Sequence, residues 1–362
     1  MGDQEGKSID FGAVAFVDDT VAYASDCMLN GLYRIDIKTQ NAKFISLFPN
    51  EELNKRGLHL YALTVNNKIY FIPASGNYIS VLNINNESIE SIAIPNVKQS
   101  NIYYKRMYKF AYAVKYDSDI LIIPSTYSGV VRLNTQNNQV SVLNDWIPSD
   151  GFFFRRTFLS VKNKVYVLSC MNNNVLVFDM SSGRGYMRKI GNSKGYIASM
   201  YVDGDIIMSD VNGKTISRWN LDNDDTTEYK NNVNDFVGNE LSFSKIYKHG
   251  DKYYLVPNKS NMMLEMDEKG TITKSNILLF DNTDGTWLSF ESDEYLYFKV
   301  HRGRCIERYR VSKITNEILP INFVLNSESS RREQQICEKT IIDGTAIYES
   351  SSFSLLDFIK GV

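Results

Sequence analysis

The chain contains only three histidines, His59, His249 and His301, among 362 residues. Imidazole-based metal centres and most acid–base devices draw on this residue, so its scarcity narrows both possibilities. Cysteine is nearly as rare. Cys27, Cys170, Cys305 and Cys337 stand far apart with no C-x-x-C spacing, which argues against a zinc cluster and against a compact disulfide framework. Buried, reduced thiols are the expectation. Net charge is lacking too: 40 basic residues oppose 42 acidic ones and leave a formal charge of -2, too little for a surface committed to nucleic acid or anionic lipid. No apolar run approaches the roughly 20 residues of a membrane-crossing helix. The opening MGDQEGKSIDFG lacks the basic-then-apolar layout of a secretion signal. These absences lead to the expectation of a cytoplasmic protein with no nucleic-acid partner, no membrane partner, no cofactor and no metal.

The common catalytic fingerprints are missing as well: there is no GxxxxGK, no GxGxxG and no HExxH. One pattern does occur. GNSKG, from Gly191 to Gly195, satisfies the G-x-S-x-G of serine hydrolases, which expose the nucleophile on a strand-to-helix turn. Here the segments on either side, MRKI and YIASMYV, both read as strands, so Ser193 belongs to a polar connection and not to a nucleophile elbow. The acidic clusters LDNDDTTE and FDNTDG lack the spacing of a calcium loop and read as solvated turns.

What the chain has in abundance is β-forming sequence, 43% hydrophobic and 12% aromatic, arranged as a repeat. VNNKIYFIPASGNYISVLNI from Val65, YDSDILIIPSTYSGVVRLNT from Tyr116, VKNKVYVLSCMNNNVLVFDM from Val161 and VDGDIIMSDVNGKTISRWNL from Val202 each run polar turn, strand, short Ser/Asn/Gly loop, strand. The same frame fits the segments beginning at Phe16, Lys248 and Ser292, which makes seven. Turn pairs such as Asn66-Asn67, Asp203-Gly204 and Gly250-Asp251 supply the backbone conformations of tight hairpins. With one more strand on either side, the unit is a four-stranded meander of roughly 43 to 49 residues. Bulky residues run consecutively, as in Ile69, Tyr70, Phe71 and Ile72, so each sheet has two apolar faces and needs a neighbour on both sides.

These repeats resemble those of bacterial β-propeller proteins over nearly the whole chain. They carry neither the WD dipeptide nor the Gly-Gly pair of kelch repeats, so no partner of those families is implied. The expected fold is all-β: a single β-propeller of about seven four-stranded blades over residues 11–325, eight being possible. Residues 1–10 would be an N-terminal extension or closure strand, and residues 326–362 a short C-terminal tail. A hairpin signal at Asp343-Gly344 is flanked by KTII and TAIY, and two readings of the tail stand: a hairpin plus a short helix near Ser354, or a partial eighth blade. The resemblance further implies that first strands line a central channel, and that the loops joining strands two and three share a face with the blade-to-blade connections.

Several of those connections carry paired basic residues beside aromatics: Lys55-Arg56, Lys105-Arg106 after Tyr103 and Tyr104, and Arg155-Arg156 after Trp146 and Phe152 to Phe154, with Arg331-Arg332 as a further candidate pair. His59 follows the first pair. Trp287 opens the seventh blade near the expected return of His301 and Arg302 in the loop KVHRGRC. Arginine forks bind carboxylate or phosphate, and aromatic faces stack on sugar rings or bases. The expected function is a non-catalytic binding module or scaffold that recognises an anionic small molecule, a glycan or a protein partner. The alternative is a polysaccharide-lyase-like enzyme that would cast His59, His301, Arg302 and one of Tyr103 or Tyr104 as its working groups.

Overall fold

The computed structural model describes residues 7–95, 108–125, 127, 129–143, 154–239, 241–276, 285–302 and 305–342. After a short β1 (Lys7–Ser8), blade 1 comprises β2 (Phe11–Phe16), β3 (Val21–Asp26), β4 (Leu32–Asp36) and β5 (Asn41–Ser46). Blade 2 comprises β6 (His59–Val65), β7 (Lys68–Pro73), β8 (Tyr78–Asn83) and β9 (Ile89–Ala93). Blade 3 follows with β10 (Phe110–Tyr116), β11 (Asp119–Pro124), β12 (Val130–Asn134) and β13 (Val140–Leu143), and blade 4 with β14 (Phe154–Val161), β15 (Lys164–Ser169), β16 (Asn174–Asp179) and β17 (Arg184–Lys189). Blade 5 is β18 (Tyr196–Val202), β19 (Asp205–Asp210), β20 (Thr215–Asn220) and β21 (Thr226–Lys230); blade 6 is β22 (Phe243–His249), β23 (Lys252–Pro257), β24 (Leu264–Asp267) and β25 (Ile272–Lys274). Blade 7 is β26 (Gly285–Glu291), β27 (Tyr295–Arg302), β28 (Cys305–Ser312) and β29 (Ile318–Pro320), after which come β30 (Val324–Leu325) and the helix α1 (Ser327–Ile342). The fold is an all-β propeller of seven four-stranded blades with one C-terminal helix, each blade a meander in chain order.

Turn chemistry explains why the strands break where they do. The outer hairpin of every blade, between its third and fourth strands, has one residue in the left-handed region: Gln40, Glu87, Asn138, Gly183, Asp224, Gly270 and Asn316. The third strand ends on a short polar side chain that turns back on this hairpin. Asp36 Oδ1 accepts from Thr39 N at 2.8 Å, Asn134 Oδ1 from Gln136 N at 3.1 Å, Asp179 Oδ1 from Ser181 N at 2.9 Å and Asn220 Oδ1 from Asp222 N at 3.1 Å. Such Asx turns satisfy backbone donors that would otherwise extend the strand. The hairpins between first and second strands use Asn66, Asp117, Lys162, Asp203 and Gly250 at positive φ.

The chain divides into two compact units, one holding blades 1 and 2, the start of blade 3 and α1, the other the rest of blade 3 and blades 4 to 7. Within each unit the period-two pattern of the second strands feeds both faces of a sheet. In the larger unit, Ile206 and Met208 pack with Tyr166 and Leu168 of blade 4, whereas Ile207 between them packs with Tyr253 and Leu255 of blade 6. In the smaller unit, Ile69 and Phe71 of blade 2 meet Ala13, Ala15 and Tyr23 of blade 1. Each such side chain, fully withdrawn from water, stabilises by about 1.5–3 kcal/mol. First strands of successive blades lie side by side, β2 by β6 in one unit, β14 by β18 and β18 by β22 in the other. Two blades add the same polar tie: Asp119 accepts from Arg132 Nε at 2.6 Å and Asn134 Nδ2 at 2.9 Å, and Asp205 from Arg218 Nε at 2.5 Å and Asn220 Nδ2 at 2.7 Å.

The N-terminal KS forms β1, which pairs antiparallel with β30 (Lys7↔Leu325, Ser8↔Val324); β30 itself runs parallel to β5 (Val324↔Asn41) at the outer edge of blade 1. The polar stretch after Leu325 is helical. Asn326 caps it, its Oδ1 accepting from Ser329 N at 2.8 Å, and KTII is the last turn of α1, not the first arm of a hairpin. Arg331 and Arg332 therefore lie exposed on a helix and not in a blade connection. Ser329, Glu333 and Cys337, four residues apart, form the buried face, and the Tyr33 hydroxyl donates to Glu333 Oε1 at 2.8 Å. The Asp343-Gly344 signal and the helix expected near Ser354 lie outside the described residues.

Candidate functional site

Lys55 and Arg56 lie in the connection between β5 and β6, and the reasons for its shape are electrostatic. Glu51 is buried, and its Oε1 accepts from Asn77 N at 2.5 Å and Tyr78 N at 2.9 Å, tying the blade connection to the β7–β8 loop. Burial pushes the Glu51 carboxyl above its ordinary range, against those two bonds and the charges of Lys55 and Lys109. Lys55 Nζ lies 3.2 Å from Glu52 Oε1. Lys109 Nζ donates to Gly76 O at 2.7 Å and Asn77 Oδ1 at 2.8 Å; burial, then repulsion from Lys55, lowers its pKa.

Three separate stretches of chain meet at Gly57. Its N donates to Cys27 O at 2.8 Å, its backbone is left-handed (φ 60°), where a side chain is strained, and a Cβ there would stand 3.1 Å from the Tyr108 ring. Arg56 O accepts from Ser75 Oγ at 2.7 Å. The stretches that meet at Gly57 carry exposed Met28 (43%), Arg56 and Tyr108 (42%), with Lys55 and Lys109 next to them in sequence. Tyr108 and Lys109 follow directly on the segment that bears Tyr104, Lys105 and Arg106, which itself lies outside the described residues.

His59 is not on that surface. It is fully buried, its ring 4.5 Å from that of Phe48 and 5.6 Å from that of Phe71, and neither ring nitrogen has a hydrogen-bond partner. Burial drives its pKa from 6.5 down to about 3, so the ring is neutral. Trp146 lies outside the described residues. Arg155 and Arg156 sit on β14 and Trp287 on β26, while His301 and Arg302 extend β27 and not a loop; the register sets His301 opposite Gly285 and Trp287 opposite Lys299. Of the side chains at these positions the structure gives no description. His249 closes β22, with Nδ1 2.9 Å from Lys313 O. Among the described residues, no three potential metal ligands come together. Met28, Glu51, Tyr108 and Lys109 were not singled out from sequence; the spacing of Lys105-Arg106 from Tyr108 is the signal that leads to two of them.

The larger unit holds a polar cleft of about 250 Å³ where the Gly191–Gly195 turn faces the β19–β20 loop. Ser193 serves that turn: its Oγ donates to Gly195 O at 2.8 Å and accepts from Gly195 N at 3.1 Å. The chain continues into β18, not into a helix, as the strand-like flanks of GNSKG predict.

Solved structures share this architecture. A streptogramin B lyase superposes with a TM-score of 0.58 at 13% identity, over 81% of this chain and 92% of that one. The virginiamycin B lyase of Staphylococcus aureus gives 0.56 at 13% identity, over 81% and 94%. Hsv2 of Kluyveromyces lactis gives 0.51 at 10% identity, over 88% and 98%. At such identities the likeness is one of fold. No protein-family model matches the chain, and no curated protein matches it in sequence.

Proposed function

We propose that this propeller is a non-catalytic binding module whose loop surface on blades 1 and 2 receives an anionic group carried by a small ligand, a glycan or a protein partner. The observation that supports it is the meeting at Gly57 of three stretches of chain that carry the exposed Met28, Arg56 and Tyr108, with Lys55 and Lys109 adjacent in sequence. Arginine, tyrosine and methionine are the residue types that dominate recognition surfaces, and the cationic neighbours favour an acidic partner. Arg155, Arg156, Trp287, His301 and Arg302 are the further candidates of the same kind in blades 4 and 7, with Tyr104, Lys105, Arg106 and Trp146 in the connections.

A lyase reading, encouraged by the names of two fold neighbours, fares worse, because its casting of His59 places a catalytic base in the core at a pKa of about 3. The test is a binding screen of sulfated and uronate-bearing oligosaccharides, nucleotides and acidic peptides at low and high salt. A ligand whose affinity falls with salt, and about tenfold further in an Arg56→Ala/Tyr108→Ala variant, fits the proposal. Binding that the double variant leaves intact removes the site, and formation of unsaturated uronate by the wild type would reinstate the enzyme.

A further inference from the structure

In the larger unit, the space between a blade's incoming loop and the loop joining its second and third strands is closed in blade 6 but open in blade 5. Ahead of blade 6, Asn261 clamps the two loops, its Nδ2 donating to Asp235 O at 2.7 Å and its Oδ1 accepting from Val237 N at 2.9 Å, while Phe236 stacks on Phe243. In blade 2 of the smaller unit, Glu51 fills the corresponding gap. In blade 5, among the described residues, no side-chain hydrogen bond joins the two loops, and the cleft of about 250 Å³ remains.

Its walls are pre-set. Glu228 Oε1 accepts from Asn192 N at 2.7 Å, and Asn173 Nδ2 donates to Gly191 O at 2.7 Å, so the turn is held from two blades. Gly191 has φ 56°, and a Cβ there would collide with Glu228 Oε1. On the opposite wall, buried Asp210 takes the backbone N–H of Lys214 at 2.7 Å. A cleft whose walls do not have to order on binding loses little entropy when filled.

We propose that this cleft binds a small zwitterion of the α-amino-acid class. The lining residues include two cations, Lys194 and Lys214, and two anions, Asp210 and Glu228. Burial raises the Asp210 pKa against three backbone hydrogen bonds and, more weakly, the charge of Lys214. Lys194 and Glu228 are both exposed, and among the described residues neither has an ion pair. One exposed ammonium and one exposed carboxylate on the same small cleft match a ligand that carries the opposite pair. The remaining lining, with Asn192, Asn212 and Thr215, is made of hydrogen-bonding groups and offers no aromatic platform for a sugar ring or base. The cleft shares no lining residue with the loop surface on blades 1 and 2.

The experiment is isothermal titration of the full chain with L-serine, with acetate, ethylammonium and glucose as probes carrying one charge or none. Serine is expected to bind, and acetate, ethylammonium and glucose about tenfold more weakly or not at all. Lys194→Ala and Glu228→Gln should each weaken serine at least about tenfold; the glutamine keeps an oxygen for Asn192 N, so the turn survives. Unchanged far-ultraviolet spectra of the variants show that folding is intact. Failure of serine and of a wider amino-acid panel to bind, equal binding of glucose or of a singly charged probe, or indifference of serine binding to both variants overturns the proposal.

Discussion

Acidification provides a direct test of how His59 is held. Its pKa in the folded protein, about 3, lies below the 6.5 of the unfolded chain. The unfolded state therefore binds the extra proton first, and the contribution of neutral His59 is fully present above pH 6.5 and lost as pH falls toward 3. At about pH 5 the loss is about 2 kcal/mol, and near pH 4 it is about 3 kcal/mol, from about 1.4 kcal/mol per unit of difference. Carboxylates titrate over part of the same range, so the comparison must be with a variant that lacks only the imidazole. His59→Leu keeps an apolar contact with Phe48 and Phe71 and removes two ring nitrogens that have no partner. Urea unfolding of both proteins at pH 7 and pH 5 should show the leucine variant no less stable at pH 7, since an unsatisfied buried polar group costs about 1–3 kcal/mol. Its advantage should then widen by about 2 kcal/mol at pH 5. Parallel losses in the two proteins, or a His59 resonance that titrates near 6.5, would refute the burial argument.

Tyr33→Phe deprives the buried Glu333 carboxylate of its 2.8 Å donor, and should lower unfolding stability by about 2–3 kcal/mol, whereas Glu338→Gln on the exposed side of α1 should change it by less than about 0.5 kcal/mol. Equal effects in chemical denaturation would mean that the helix is not anchored through that bond. Gly195→Ala forces a Cβ into the Cys170 carbonyl at a backbone φ of 153°, for a loss of about 1–3 kcal/mol or more in thermal melts; an unchanged melting temperature would discount the close approach. Asp205→Ala strips Arg218 and Asn220 of their shared acceptor and should cost about 1–2 kcal/mol, with Asp205→Asn recovering part of it; if asparagine is as harmful as alanine, the tie does not act through hydrogen bonding.

The blades were legible because two local signals coincide in each repeat. Consecutive apolar residues such as Ile206, Ile207 and Met208 demand cover on both faces, and short polar residues at hairpin positions say where each strand must stop. The helix was illegible for the opposite reason. Its buried stripe is Ser329, Glu333 and Cys337, and a carboxylate reads as surface until Tyr33 is known to stand over it. The candidate surface was half legible. Composition identified the Lys55-Arg56 connection, but side-chain direction is decided by partners: Glu52 draws Lys55 along the loop, while His59, three residues beyond Arg56, enters the core. The blade 5 cleft lies at the far end of this scale, since GNSKG drew notice for a chemistry that Ser193 does not perform. What makes the place distinctive is a filling that other blades possess, Glu51 in one and Phe236 with Asn261 in another, and that blade 5 lacks. An unfilled gap in a repeat has no residue of its own to announce it, so in a propeller the loops that do not close on each other are where binding is to be sought.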